Sequence, residues 1–331
     1  MRTIASMDTK QPGLNQFFTN VLDNNISDYL SKAYPFVENH LEEWELNFDA
    51  DLEVTNHVLR VRIQDGSIAQ YKEDVLDVCH CQHQDGGWGT TRDDQNSKIR
   101  STSFCVQMLL RANRVLKNDL IQHHILKGLA YIVAAQNTNG SWTDPTWHFL
   151  DATSTSVGTL LFAVNEPFVN EQYRKTLDKG MNFIVSTRNE NGLWYYKPTG
   201  SPVTITAHLL QKCATYYGSL DIHDQSIRNL IELQEECGSW DKGNTDHTCD
   251  AVRAMMLTSS RSKNENITKE VCVSTCKAVQ WLIEVSNEID GGLGDRLGKP
   301  ANVERTCDGI DTMLKLRQFI KDFSEMLEFW N

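Results

Sequence analysis

Apolar residues in this chain recur at helical spacing in blocks, and the blocks end in one repeated phrase. Lys127–Trp142 reads KGLAYIVAAQNTNGSW. Leu129, Tyr131, Ile132 and Val133 give it an apolar helical face. Gln136 follows, and then a polar turn closes on Gly140 and Trp142. The phrase has four variants elsewhere: VLDVCHCQHQDGGWG, KGMNFIVSTRNENGLW, IRNLIELQEECGSW and KAVQWLIEVSNEIDGGLG. Their closing residues are Trp88, Trp194, Trp240 and Leu293, so with Trp142 the marks fall 54, 52, 46 and 53 residues apart. Beyond each mark lies a second apolar helix that opens with Thr and small residues. These are Ser101–Ala112, Ser154–Val164, Thr204–Ala214, His247–Leu257 and Arg305–Leu316.

The N-terminal part follows the pattern less closely. Residues 1–13 are polar, contain Gly and Pro, and read as a loose terminus. Helices are expected over Asn15–Tyr34 and Val37–Trp44, separated by Pro35. A further amphipathic helix is expected over Asp49–Arg62, on Leu52, Val54, Val58 and Leu59. Arg261–Glu270 reads as a polar loop inside a repeat. Strand signals are nearly absent. With a degenerate first unit around Trp44, the pattern makes about six helical hairpins. Hairpins at a fixed period stack as a solenoid or close into a ring. Repeats this long predict closure: an all-α chain, one (α/α)6 toroid over residues 14–331 with a central cavity. The second helix of each pair would line that cavity.

Composition narrows the partners. The 331 residues carry 44 acidic against 32 basic side chains, a formal charge of −12. That balance disfavours nucleic acid and anionic membranes as partners. No apolar run is long enough to span a bilayer, and the first residues lack a signal-peptide core. Nine scattered cysteines, an odd number, fit a reduced cytoplasmic setting. Oligomeric state is left open.

The repeated phrase, with Lys or Arg before Gly, an aromatic and an aliphatic residue, Gln, and Gly-x-Trp, resembles the QW repeat of squalene–hopene cyclases and related class II terpene cyclases. Lys127–Trp142 matches throughout, and Lys179–Trp194 matches except for Arg188 in place of Gln. The Trp88 and Trp240 copies keep Gln82 and Gln234, whereas the Leu293 copy has lost both Gln and Trp. The resemblance covers roughly residues 70–315. Its physical sense is structural: the Gln amide ties a helix end to the next repeat, and Trp buries a flat face between hairpins. For function it implies an acid-initiated, metal-independent cyclase or isomerase of an isoprenoid or similar polyene, with an inner-helix Asp as proton donor. The implied partner is a small apolar substrate, and no cofactor is required.

The D-x-D-D acid motif of that family is absent. Aligned by their Thr, two second helices keep its central acid, Asp250 in Thr248-Cys249-Asp250-Ala251 and Asp308 in Thr306-Cys307-Asp308-Gly309. The aligned positions elsewhere are Phe104, Val157 and Thr206. Asp250 and Asp308 are therefore the candidate catalytic residues. Burial and a neighbouring carboxyl are expected to raise the pKa of one and keep it protonated. The competing expectation is that they stabilise helix ends beside Arg253 or Arg305. Asp246, His247 and Glu304 precede these helices at the expected cavity mouth, as substrate-binding candidates or helix caps. Asp311, one turn beyond Asp308, is a candidate partner of it or a solvated charge. Asp151 is a weaker mouth candidate. Trp147 and Phe104, with Phe149, Tyr195 and Tyr196, could face a carbocation or simply pack. Arg100, Arg253 and Arg305 are compatible with a diphosphate without requiring one.

Two other functions stay open. His247-Thr248-Cys249 resembles the zinc-histidine segment of protein prenyltransferase β subunits, which would make His247, Cys249 and Cys307 or Asp308 zinc ligands. Alternatively, the ring only binds an apolar ligand or a partner. Cys79-His80-Cys81-Gln82-His83 has ligand-type residues, but neighbours on a helix point apart, so no metal is assigned there.

Overall fold

The computed structural model describes residues 14–46, 50–196, 200–218, 221–262 and 264–328, without the side chains of 14–22, 221–222 and 322–328. The segment expected to be a loose terminus, residues 1–13, lies outside the described residues. Among the described residues twelve α-helices follow in order: α1 (Leu14–Asn39), α2 (Leu52–Gln64), α3 (Lys72–His80), α4 (Ile99–Leu116), α5 (Asp119–Ala134) and α6 (Phe149–Ala163). Then come α7 (Glu171–Ser186), α8 (Val203–Tyr217), α9 (Asp221–Glu232), α10 (Thr245–Ser259), α11 (Glu265–Val285) and α12 (Val303–Glu328). Among the described residues the sheet content is one two-residue pair, Leu293–Gly294 against Ala301–Asn302.

Even-numbered helices form the inner ring. Helix α2 packs on α4, α4 on α6, α6 on α8, α8 on α10, α10 on α12, and α12 returns to α2. Odd-numbered helices lie outside, with α1 against α12 closing the double ring. This is the expected (α/α)6 toroid. Two local expectations change. Pro35 lies inside α1 and does not end it. The expected loop after Arg261 becomes helical at Glu265, where Asn264 caps the start of α11.

Each turn is locked to its inner helix by one recurring bond. The backbone N–H of Trp88, Trp142, Trp194 and Trp240 donates to Oγ1 of Thr102, Thr153, Thr206 and Thr248, at 2.9, 3.0, 2.9 and 3.2 Å. Leu293 donates to Thr306 in the same way at 3.0 Å. In the first unit, Thr55 Oγ1 donates to the carbonyl of Trp44. The Trp rings are buried, and their indole N–H groups donate to a carbonyl of the preceding outer helix, such as Ile132 for Trp142.

Between repeats, the amides of Gln82, Gln136 and Gln234 each donate twice. One bond goes to their own turn, at Gly86, Gly140 and Gly238. The other reaches the next outer helix, at His124, Thr176 and Ser274. Arg188 takes over both directions, donating to Gly192 O at 3.1 Å and Ser226 Oγ at 2.7 Å. The glycines are set by close approach. A Cβ on Gly180 would lie 2.9 Å from the Trp142 ring, and one on Gly140, at φ +92°, would lie 2.4 Å from the Lys179 carbonyl.

These contacts predict unequal costs. Trp142→Ala is expected to lower unfolding free energy by about 3–5 kcal/mol, and Gln136→Ala by about 1–3 kcal/mol. Arg188→Gln, which restores the amide found in the other repeats, should stay within about 1 kcal/mol of the parent chain. Urea denaturation monitored by circular dichroism measures all three.

Candidate functional site

The Thr lock sets the register of every inner helix, so residues at equal distances from it form layers across the ring. Helical periodicity places positions −2, +2, +5 and +9 from the Thr on one stripe. At +2 the six helices contribute His57, Phe104, Thr155, His208, Asp250 and Asp308. This corrects the sequence alignment. The counterparts of Asp250 on α6 and α8 are Thr155 and His208, not Val157 and Thr206. The loop from mark to lock varies from 8 residues (Trp240 to Thr248) to 14 (Trp88 to Thr102), so spacing alone could not set the register.

The +2 layer pairs histidine with aspartate twice. His208 Nε2 lies 2.9 Å from Asp250 Oδ2, and His57 Nδ1 lies 3.5 Å from Asp308 Oδ1. Arg253 links the two acids, with Nη2 2.6 Å from Asp250 Oδ1 and Nη1 3.0 Å from Asp308 Oδ1. Arg253 Nη1 also reaches Asp311 Oδ2 at 3.2 Å. Arg60 adds 3.3 Å to Asp308, Arg305 adds 2.7 Å to Asp308, and Lys315 adds 2.7 Å to Asp311.

The expectation of a neutral buried acid therefore fails for Asp250 and Asp308. Burial alone pushes both up, but His208 and Arg253 outweigh it at Asp250. His57, Arg253 and Arg305 do the same at Asp308. Both carboxyls sit well below the usual carboxylate range. Asp311 is not a solvated charge: it is buried, and Lys315, Arg60 and Arg253 overcome the burial penalty to hold it low as well.

The −2 layer forms the mouth at the N-terminal ends of the inner helices: Glu53, Arg100, Asp151, Thr204, Asp246 and Glu304. Asp246 lies 3.1 Å and Glu304 2.7 Å from Arg305. Burial raises both carboxyls, with Asp250 adding to the rise at Asp246. The first-turn N–H capping of α10 comes from Asn244, which accepts from His247 N, and not from Asp246. Burial likewise raises Asp151, which accepts from Tyr196 Oη at 2.5 Å. His247 turns to Asp241, with Nδ1 2.5 Å from Oδ2. Trp147 and Phe104 are not free cation-facing surfaces, because Arg100 stands 3.7 Å over the first ring and 4.8 Å over the second. Trp147 is also 48 % exposed.

Metal-type residues gather at a place the sequence reading did not assign. Glu53, His57 and Glu304 bring ligand atoms within 4.8 Å of one another. Arg100 already forks across Glu53, and Arg305 holds Glu304. His247, Cys249, Cys307 and Asp308 form no such group among the described residues. The zinc set inferred from the prenyltransferase resemblance is therefore not assembled.

Below the acid layer, toward the C-terminal ends of the inner helices, lies a chamber of about 570 Å³. Leu161, Phe162, Met256 and Phe319 line it together with Gln107, Gln211, Arg111, Lys212, Arg253 and Lys315. The central cavity expected from the sequence thus has a mixed apolar and cationic lining here. Sequence reasoning missed His57, Arg60, Arg111, His208 and Lys212. Their signal was a polar stripe at spacings of three and four inside apolar helices, as in His208 and Lys212 or Asp308, Asp311 and Lys315.

No protein-family model and no curated protein sequence matches the chain. Solved structures do match in fold. The type II terpene cyclase MstE from Scytonema superposes with a TM-score of 0.64 at 14 % identity, over 91 % of this chain and 99 % of its own. It has been solved with geranylgeranyl dihydroxybenzoate as substrate and with merosterolic acid A as product. A GH76 α-mannanase from Bacteroides thetaiotaomicron gives 0.66 at 9 % identity, over 95 % and 99 % of the two chains. A polysaccharide lyase gives 0.64 at 11 %, over 91 % and 99 %. These likenesses establish the α/α-toroid fold. No helix among the described residues is long and apolar enough to cross a membrane.

The low carboxyl pKa values make a pH prediction. Unfolded Asp titrates near 3.9. Below about pH 4 the unfolded chain takes up protons that folded Asp250, Asp308 and Asp311 refuse, so their stabilisation is lost as pH falls toward the folded values. Asp308→Asn also leaves Arg253, Arg60 and Arg305 without their shared carboxylate. It should cost about 3–5 kcal/mol at pH 7 and flatten the loss of stability between about pH 4 and 2. Denaturant titrations at a series of pH values read both effects.

Proposed function

We propose that the protein is an enzyme that cyclises or isomerises an isoprenoid or similar polyene by proton transfer at the Asp250–His208 pair. The 2.9 Å contact between His208 Nε2 and Asp250 Oδ2, across two inner helices at the centre of the ring, carries this reading. The shared fold with a cyclase solved with a geranylgeranyl substrate supports it by analogy.

The chemistry suits the pair. An alkene is a weak base and needs a strong acid. The cations that depopulate the protonated form of Asp250 also make that form strongly acidic. A proton shared with His208 passes through the carboxyl to one alkene carbon, and the new C–H bond leaves a cation on the other. Arg253 stabilises the carboxylate that remains. Attack by a second double bond closes a ring, or direct proton loss moves the first one. In either case a proton returns to the Asp250–His208 pair, so the product is an isomer of the substrate. His208 is the accessible member, with a side chain 30 % exposed against 4 % for Asp250.

Mass spectrometry of farnesyl and geranylgeranyl diphosphates and their alcohols, incubated with the protein, should find an isomeric product. Asp250→Asn and His208→Phe should each reduce its formation at least about 100-fold; full turnover by both variants would refute the assignment. A second reading rests on the Glu53–His57–Glu304 group. Product formation abolished by EDTA and restored by a divalent metal would move the chemistry there. Substrate bound with no product would leave a ring that binds only.

A further inference from the structure

The described lining of the chamber below Arg253 holds five cationic side chains, and two of them lack an ion pair. Of its cations, Arg253 faces three aspartates, Lys315 pairs with Asp311 and Arg114 pairs with Glu166. Arg111 and Lys212 have no hydrogen bond or ion pair among the described residues. Arg111 Nε is buried without an acceptor, and the guanidinium rests on the Phe162 ring at 4.3 Å. Among the described residues no acidic side chain lines the chamber.

Helix dipoles do not account for these two cations. The inner helices end on this side, but Arg111 lies five residues before the end of α4 at Leu116, and Lys212 five before the end of α8 at Tyr217. A C-terminal dipole acts within the last turn. Space has been kept for the lysine: a Cβ on Gly158 would lie 2.9 Å from Lys212 Cε. The cations also repel one another. After burial, Arg60 is the main influence lowering Arg111, ahead of the opposing Asp311, and at Lys212 Asp250 favours the charge while Arg111 and Arg253 act against it. Burial itself pulls Lys212 down to about 8.

We infer that this chamber is an anion site for a phosphoryl group, held by Arg111 and Lys212 with Arg253 at its inner wall. A guanidinium fork and an ammonium converging in a partly desolvated pocket match a multiply charged phosphate or diphosphate. The apolar wall of Leu161, Phe162, Met256 and Phe319 leaves room for an attached hydrocarbon. The site goes beyond the proton-transfer reading and does not require it.

Isothermal titration calorimetry of the whole chain with sodium pyrophosphate, farnesyl diphosphate and farnesol tests the site. Both phosphorylated ligands are expected to bind, and affinity should fall as salt rises. Arg111→Met and Lys212→Met should each weaken binding at least about tenfold. Lys212→Arg, which keeps the charge, should retain most of it. Lys269→Met, on the exposed face of α11, should change nothing. Tighter binding of farnesyl diphosphate than of pyrophosphate would assign the site to a phosphorylated lipid chain, and equal binding would assign it to the free anion. Absence of binding by both phosphoryl ligands, or equal affinity in the parent and the Arg111→Met/Lys212→Met double variant, would overturn the inference. Since the measurement reads binding, a protein that holds pyrophosphate but yields no product keeps the site and loses the proton-transfer reading.

Discussion

The hydrogen bond from the Trp N–H to the Thr hydroxyl is the constraint on which the rest of the ring depends. It joins the turn of each hairpin to the first turn of its inner helix, and it recurs at Thr102, Thr153, Thr206 and Thr248, with Leu293 and Thr306 as its last copy. Loops of different length are brought to the same start point by this bond. Once the start is fixed, helical periodicity fixes which side chains share a layer. The Gln amides and Trp rings then join one hairpin to the next, so the layers become circular rather than merely stacked.

Circular layers bring together groups that are far apart in sequence. Arg60 and Asp308 meet across 248 positions because α2 and α12 are neighbours only when the ring closes. The centre that results is ionic. Three aspartates share Arg253, and the cations around them reverse the rise in pKa that burial would give. A buried network of this kind is costly to break at any one member, because the remaining charges lose their compensation in a medium that cannot solvate them. Low polarisability alone would weaken a carboxylic acid, and it is the surrounding cations that lower these pKa values.

Arg253 divides the interior into two environments. Above it are the His–Asp pairs and a mouth of acids bridged by Arg305 and Arg100. Below it is a chamber where Arg111 and Lys212 have no ion pair among the described residues. An amphiphilic ligand with an anionic end would meet cations on the lower side and the His208–Asp250 pair on the upper one. The central cavity expected from the sequence is divided in this way between two environments.

The sequence by itself determined the all-α ring, because a phrase repeated at nearly constant intervals demands neighbours of its own kind, and burying both faces of long hairpins favours closure. It also singled out Asp250 and Asp308, since acids inside apolar helices are conspicuous. It could not determine their protonation, which depends on His208, His57, Arg60 and Arg305 arriving from other helices or other turns. Nor could it identify His208 as the counterpart of Asp250, because loop length hides the register and only the Thr hydrogen bond reveals it. Local pattern encodes elements and their period. Electrostatic state is a property of distances between elements, and those distances exist only once the ring has closed.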